Sequence, residues 1–262
     1  MSGQNMFSWY NELYPDVENS ATYSKYCNLV FGKDFSQQGF SDFEQINFML
    51  SKLDIKTKDK VLEIGCGTGK LSEYIYGLTN AEIIGVDYSQ TAIQIAKERT
   101  REKHGLSFLC SDMDEMSFPV SSFDIIYSID AIFFSKDLPK LLLKLNKLLK
   151  DNGKLIICYS EIRFDEKVSI ENLLPQNTQV GQAFEKVGLT YQFFNLTDYL
   201  YKHMLLKRRI ALALKEEFVV EGKEYLFDYI FRESIPVDMS LSTFKDFQAR
   251  YLYLYEKLRC SQ

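Results

Sequence analysis

The sequence predicts an α/β fold organised around a mostly parallel sheet. Short apolar runs of strand length alternate with segments of helical apolar spacing, a pattern that gives parallel strands with right-handed crossovers. A glycine-rich turn joins the first such strand to its helix, and an alternating segment over 250–256 closes the chain. We therefore predict a Rossmann-like sheet of seven strands, with the seventh antiparallel beside the sixth. A terminal helix is the alternative for residues 250–256.

The glycine-rich turn is the first indication of a ligand. Val61–Ile64 is an apolar run of strand length, Gly65, Gly67 and Gly69 follow it, and a helix is predicted over 70–78. Glycine lets the backbone approach a ligand closely, and the helix N-terminus behind it offers unpaired N–H groups. A tight turn in any α/β protein would also use glycines, so the turn alone is a weak signal.

An acidic residue ends the second predicted strand. The strand covers 81–86, and Asp87 and Tyr88 follow directly. An acid at this point is placed to accept hydrogen bonds from both ribose hydroxyls of an adenosine. We therefore predict that Asp87 and Tyr88 bind the adenosine of a cofactor.

The glycine spacing separates two classes of adenosine cofactor. Dinucleotide sites use G-x-G-x-x-G, whereas Gly65, Gly67 and Gly69 are spaced one residue more tightly. Glu63 lies just before them, where a carboxylate would repel a pyrophosphate but suits a ligand with an amino group and a sulfonium charge. This set resembles motif I, E-x-G-x-G-x-G, of the class I S-adenosylmethionine (SAM) methyltransferases. The resemblance implies that these residues and Cys66 bind SAM.

The remaining elements continue the alternation. They are predicted as a helix over 43–53, a helix over 90–102, strands over 106–110 and 123–127, a helix over 137–150, a strand over 154–159, a helix over 178–187 and a sixth strand over 189–196. Asp112 and Met113 follow the third strand, where a carboxylate can accept a hydrogen bond from an adenine amino group. We predict that both residues contact the cofactor.

Two segments lie outside this pattern. Residues 1–40 are rich in aromatic residues and precede the first strand, and residues 197–247 are helical. We predict N-terminal lid helices over 1–40, a SAM-binding core over 41–196, a helical cap insertion over 197–247 and the last strand over 248–262. Helices packed on the outside of the domain are the alternative for the N-terminal segment.

A second resemblance covers part of the lid. Residues 26–39 are similar to the Y-E-x-x-F-G…S-x-G-G segment of phosphoethanolamine methyltransferases, a type related to the ubiquinone methyltransferases, and 128–132 are similar to their S-R-D-A-I segment. The resemblance implies that the side chains in these segments contact the cofactor, with one aspartate near the acceptor amine. It nominates Tyr26, Gln37, Gln38 and Ser128 for SAM and Asp130 for the acceptor.

The chain departs from this type at the acceptor. Ile129 stands in place of the arginine, and the histidine of the motif falls among Phe133 and Phe134. The resemblance therefore implies a methyltransferase that acts on the nitrogen or oxygen of a small molecule in a more apolar, aromatic pocket.

Few catalytic residues are expected. A sulfonium methyl is already activated, so the protein need only align the acceptor and exclude water. Asp130 is the first candidate, orienting an acceptor N–H or O–H, although it could instead cap a helix or hold the SAM amine. Tyr14 and Tyr26 could present hydroxyls or ring faces to a cation, and His203 could act as a base, but packing explains these three equally well.

Composition narrows the partners. A net charge of −5 disfavours nucleic acid, and no stretch approaches the ~20 apolar residues that cross a bilayer. The five scattered cysteines and two histidines form no metal-ligand pattern, and the cysteines suit a reducing cytoplasm. Oligomeric state stays open, a homodimer included.

Three alternatives remain. An NAD(P)-dependent oxidoreductase would need the wider glycine spacing, which is absent. An RNA methyltransferase is disfavoured by the acidic charge and by the lack of an N-P-P-Y-type motif. A non-catalytic SAM-binding regulatory module is compatible with the missing histidine.

Overall fold

The computed structural model describes residues 3–36, 38–165 and 167–259. Within these residues one sheet contains β1 (Lys60–Ile64), β2 (Glu82–Asp87), β3 (Leu106–Cys110), β4 (Phe123–Ile129), β5 (Leu149–Ile162), β6 (Gln192–Asn195) and β7 (Gln248–Glu256). The spatial order is β3-β2-β1-β4-β5-β7-β6. The first five strands run parallel, and β7 is antiparallel to both β5 and β6. The predicted fold, with an antiparallel seventh strand beside the sixth, is confirmed.

Ten α-helices surround the sheet in the described residues. They are α1 (Gly3–Glu18), α2 (Ala21–Phe31), α3 (Phe43–Leu53), α4 (Lys70–Thr79), α5 (Gln90–Thr100), α6 (Leu138–Leu148), α7 (Gln179–Lys186), α8 (Thr197–Val220), α9 (Glu224–Arg232) and α10 (Leu241–Lys245). None of the helices in this part of the chain is long and apolar enough to cross a membrane.

The largest differences from the predicted element boundaries lie at β5 and β6. Helix α6 ends at Leu148 and β5 begins at Leu149, because β5 contains a bulge in which Phe123 pairs with Leu149 while Ile125 pairs with Lys154. Strand β6 is shorter than predicted, since it lies at the edge of the sheet and its side chains are mostly exposed.

The closing segment is a strand because both of its faces are covered. Every residue of β7 from Gln248 to Tyr255 is buried. The strand is paired on both edges, with Leu252 opposite Cys158 on β5 and Phe194 on β6. A terminal helix would leave these backbone groups of β5 and β6 without partners in the sheet.

The N-terminal helices pack with the helices between β6 and β7. Leu13 and Tyr26 share an apolar cluster with Phe218 and Leu226. Glu221, the residue after α8, accepts hydrogen bonds from Ser20 Oγ and the Ala21 N–H at 2.7 Å each. Its carboxylate therefore lies at the positive end of α2. Helices α1, α2, α8 and α9 thus form one helical layer beside the sheet. The division of the chain into lid, core and cap stays a prediction.

Candidate functional site

A cavity opens at the carboxyl ends of the central strands, the usual ligand position in a parallel sheet. It encloses about 1130 Å³ of space, part of which is open to solvent. The loops after β1, β2, β3 and β4 form its floor, and α1 covers it with Tyr10 and Tyr14. The residues that contact a ligand here therefore come from distant parts of the sequence.

The loop after β1 can pass close to its neighbours because it contains glycine. Gly65 and Gly67 have φ values of 76° and 51°, a conformation that residues with a Cβ rarely adopt. A Cβ on Gly65 would lie 2.2 Å from the Ala131 Cβ, and one on Gly67 would lie 3.2 Å from the Tyr14 hydroxyl. The backbone of this loop is thus closely bordered by α1 and by the residues after β4.

Asp87 joins the end of β2 to the glycine loop. Its Oδ2 accepts from the Gly67 N–H at 2.9 Å, and its Oδ1 accepts from the Ser89 N–H at 2.9 Å. Burial raises the pKa of this carboxyl group above its ordinary value. Each oxygen keeps a second lone pair, so the carboxylate can still accept hydrogen bonds from two ligand hydroxyls.

Glu63 lines the cavity from below. It is buried at the end of β1, and the Ser72 hydroxyl on α4 donates a hydrogen bond to its Oε2. Burial raises the pKa of Glu63 to about 7. A cationic group in the cavity would favour the ionised carboxylate.

Asp112 occupies the rim after β3. Lys136 Nζ donates to its Oδ2 at 2.8 Å. Burial opposes ionisation, but the hydrogen bonds from Lys136 and the Asp114 N–H, together with the charges of Lys136 and Lys144, outweigh it and lower the pKa of Asp112. Ser111 and Met113 line the cavity beside it. The carboxylate therefore remains an acceptor at the edge of the site.

Aromatic rings form the upper wall. Tyr10 stacks on Tyr14 with ring centroids 5.8 Å apart and meets Tyr88 and Phe134 edge-on at 6.3 and 6.0 Å. Sequence reasoning did not name Tyr10 as a site residue. The signal for Tyr10 was its spacing of four residues from Tyr14, which places both rings on one face of α1.

Asp130 lies at the cavity in a tightly constrained position. It has a φ of 51°, and its Oδ2 accepts from the Phe40 N–H at 2.7 Å. Arg250 from β7 forms a bidentate ion pair with it, at 2.7 and 3.1 Å. Sequence reasoning missed Arg250, which is fully buried 120 positions away along the chain.

The structure brings most of the sequence-predicted residues to the cavity. The predicted cofactor residues that line it are Gln38, Glu63, Gly65, Cys66, Gly67, Asp87, Tyr88, Asp112 and Met113, and the predicted catalytic residues that line it are Asp130 and Tyr14. Their roles stay predictions.

Other predicted residues lie away from the lining. Gly69 lies under the loop, where a Cβ would be 2.4 Å from the Phe108 ring, and Ser128 donates to the Ile64 carbonyl at 3.1 Å within the sheet. Gln37 is outside the described residues. The close packing at Gly69 and the hydrogen bond of Ser128 need no ligand to explain them.

Tyr26 and His203 are buried in the helical layer, not in the cavity wall. The Tyr26 hydroxyl has no hydrogen-bond partner in the described part of the chain. His203 packs against Phe31 with ring centroids 4.8 Å apart, and burial holds its pKa well below the ordinary value. This neutral imidazole is enclosed by packed side chains and lies away from the cavity lining. It is therefore poorly placed to take a proton from an acceptor.

The hydrogen-bond acceptors that line the cavity fit SAM. Glu63 suits a ligand amine, Asp87 has free lone pairs for ribose hydroxyls, Asp112 can accept from adenine, and the glycine loop forms the cradle between them. The fold and the cavity thus define an adenosine-binding Rossmann-like domain.

Comparison with known proteins identifies a methyltransferase domain within the chain. Residues 62–157 match a family described as a methyltransferase domain. The chain is 33% identical over 129 residues to phosphoethanolamine N-methyltransferase 3 of Arabidopsis thaliana, and 32% identical over 185 residues to the eEF1A lysine and N-terminal methyltransferase of Mus musculus. These matches span 49% and 63% of this chain but 26% of each relative. The chain therefore contains a segment that matches a methyltransferase domain, and it is similar over about half of its length to SAM-dependent methyltransferases.

Solved structures share the fold across nearly the whole chain. Phosphoethanolamine N-methyltransferase 2 of Haemonchus contortus, solved with phosphomonomethylethanolamine and S-adenosylhomocysteine, aligns with a TM-score of 0.73 at 20% identity, covering 95% of this chain and 60% of that one. The [4+2]-cyclase SpnF aligns with a TM-score of 0.71 at 14% identity, covering 99% and 98%. At these identities the likeness describes the fold alone.

Proposed function

We propose that this chain binds SAM and transfers its methyl group to a small-molecule acceptor, with nitrogen favoured over oxygen. The observation that carries the proposal is the shared cavity of Glu63, Asp87 and Asp130 under the rings of Tyr10 and Tyr14. The residues proposed to bind the cofactor and the residue proposed to bind the acceptor line the same partly enclosed space. The named acceptor of the Arabidopsis relative supports nitrogen.

Each part of the cavity wall has a proposed role toward SAM. Asp87 accepts from the ribose hydroxyls, Asp112 accepts from the adenine amino group, and ionised Glu63 faces the amino group of the methionine moiety. The glycine loop allows the backbone to approach the ligand. SAM supplies an activated methyl group when bound, so the chain itself need not provide a nucleophile.

The acceptor end of the cavity aligns the acceptor and shields it from water. Asp130 is held by Arg250 and Phe40, so its carboxylate can orient an N–H of an acceptor without moving. Tyr10 and Tyr14 close the top of the site and limit the access of water. Helix α1 is itself fixed to the floor, because Thr68 Oγ1 donates to Glu18 at 2.8 Å and Ser89 Oγ donates to Asn11 at 2.6 Å.

Calorimetric titration of the purified chain with SAM and with NADH tests the cofactor. We expect micromolar binding of SAM and no heat with NADH. Formation of S-adenosylhomocysteine in the presence of amines then tests catalysis. Tight SAM binding with no turnover on any acceptor would favour a non-catalytic SAM-binding module, and NADH binding alone would overturn the cofactor assignment.

A further inference from the structure

We infer that the acceptor is a free amine that carries neither a phosphate nor a carboxylate group, an inference that rests on the proposed methyl transfer. The ionisable side chains among the described lining residues are carboxylic acids, tyrosines and one cysteine, with no lysine, arginine or histidine. At the acceptor end of the cavity, an anionic group of the acceptor would lie beside Asp130 without an opposing cation among these lining residues.

The nearest cation behind the wall has no free donor. Arg250 uses Nε on Gln45, Nη1 on Asp130 and Ser160, and Nη2 on Ser41 and Asp130, all within 3.1 Å. A guanidinium has five N–H groups, so this set is complete. An anion would have to displace one of these partners to reach Arg250.

The other cations near the site are also engaged. Lys70 at the rim donates to Ser36 and lies within 3.4 Å of both Glu18 and Asp34. Lys136 is paired with Asp112. A ligand phosphate would therefore have to compete with these carboxylates for either ammonium group.

A further lysine lies buried in the helical layer. Lys207 sits 3.5 Å from Glu233 and 5.3 Å from the centre of the Phe40 ring, behind the cavity wall. The charge of Glu233 also acts on Tyr10, which lines the cavity. Burial, followed by the negative charges of Glu233, Asp87 and Asp130, raises the pKa of Tyr10. The negative charges of these three carboxylates thus act on the Tyr10 hydroxyl.

An amine suits this site in both of its protonation states. As an ammonium ion it is attracted by the carboxylates and by the faces of the tyrosine rings. It releases one proton to solvent before reaction, since only the neutral amine has a lone pair. That lone pair forms the bond to the methyl carbon while the carbon–sulfur bond breaks and its electrons pass to sulfur. The products are a protonated N-methylamine and S-adenosylhomocysteine.

Four matched pairs of probes test the inference. Each pairs a free amine with a counterpart that adds one anionic group: 2-phenylethylamine with phenylalanine, tryptamine with tryptophan, putrescine with ornithine, and ethanolamine with phosphoethanolamine. Methyl incorporation is measured with SAM, and binding is measured by calorimetry with S-adenosylhomocysteine present. We expect the free amines together to exceed their counterparts at least about tenfold in both measurements, because like charges repel in a partly buried site.

Two variants test the cause. Ile129 lines the cavity, so Ile129→Arg or Ile129→Lys adds a cation to the wall. We expect either change to reduce the preference for free amines at least about threefold. Leu143→Arg adds the same charge on an exposed part of α6 and should leave the preference unchanged.

The outcomes separate this inference from the proposed function. SAM binding with equal or greater use of the anionic probes, or with no use of any amine, overturns the inference and leaves the cofactor assignment intact. An unchanged preference in folded Ile129 variants also overturns it. Failure to bind SAM at all overturns the proposed function instead.

Discussion

Arg250 on β7 and Asp130 after β4 form a buried bidentate ion pair, with Nη1 2.7 Å from Oδ1 and Nη2 3.1 Å from Oδ2. The pair also holds the N-terminal segment, because Asp130 accepts from the Phe40 N–H and Arg250 donates to Ser41. One interaction thus connects the last strand, the cavity and the segment before α3.

Arg250→Met should destabilise the protein by about 3–5 kcal/mol, because it leaves Asp130 buried without its partner. Urea unfolding followed by circular dichroism measures this change. The double variant Arg250→Met with Asp130→Asn should recover part of the loss, since no uncompensated charge remains. If the single and double variants are equally unstable, the ion pair is not the reason for the loss.

Asp87→Ala should weaken SAM binding by at least roughly tenfold, because two charge-assisted hydrogen bonds are lost. Calorimetric titration measures the affinity, and circular dichroism checks that the variant is folded, since Asp87 also accepts from two backbone N–H groups. Asp151→Ala, at an exposed position in the β5 bulge, is the control. Unchanged affinity in folded Asp87→Ala would remove Asp87 from the cofactor site.

The cofactor half of the site was predictable from sequence because local patterns determine it. Glu63, Gly65 and Asp87 each lie at the end of a strand whose apolar run is visible, and parallel strands bring their carboxyl ends together. The acceptor half was not. Arg250 reaches Asp130 because β7 lies between β5 and β6, and the sequence pattern predicted only its pairing with the sixth strand.

Burial raises the pKa of Glu63, whereas a salt bridge lowers the pKa of a surface acid. The pKa of Glu63 is raised from 4.5 to about 7, so the folded protein holds this proton more tightly than the unfolded chain does. The stabilisation is complete below about pH 4.5 and is lost as the pH rises to about 7, an effect on the order of 3 kcal/mol.

Glu63→Gln should remove this pH dependence. The free energy of unfolding of the variant, relative to the parent protein, should rise by roughly 3 kcal/mol between pH 4.5 and pH 8, since an amide does not titrate. Urea unfolding across this range measures the difference. SAM affinity at pH 8 should fall at the same time, because the cavity loses a carboxylate. A constant stability difference across the range would mean that Glu63 titrates near its ordinary pKa.

Two glycine-to-alanine variants separate a ligand effect from a general effect on stability. At Gly67, with φ at 51°, alanine is strained and its Cβ lies 3.2 Å from the Tyr14 hydroxyl, so we expect Gly67→Ala to move Tyr14 and weaken SAM binding at least about tenfold. At Gly77, exposed inside α4, a Cβ meets nothing within 4 Å. Gly77→Ala should therefore stabilise the protein by about 0.5–1 kcal/mol and leave SAM affinity unchanged.

Thermal unfolding and calorimetric titration of both variants give the comparison. The two changes add the same methyl group within ten residues of one another, so a difference in SAM affinity reports the position of the Cβ. Equal SAM affinities in the two folded variants would show that the glycine loop does not need its close approach to the ligand. A weaker affinity in Gly67→Ala alone would show that SAM binding needs the glycine loop and Tyr14 in their present positions, because both the strain at φ 51° and the contact with Tyr14 are specific to Gly67.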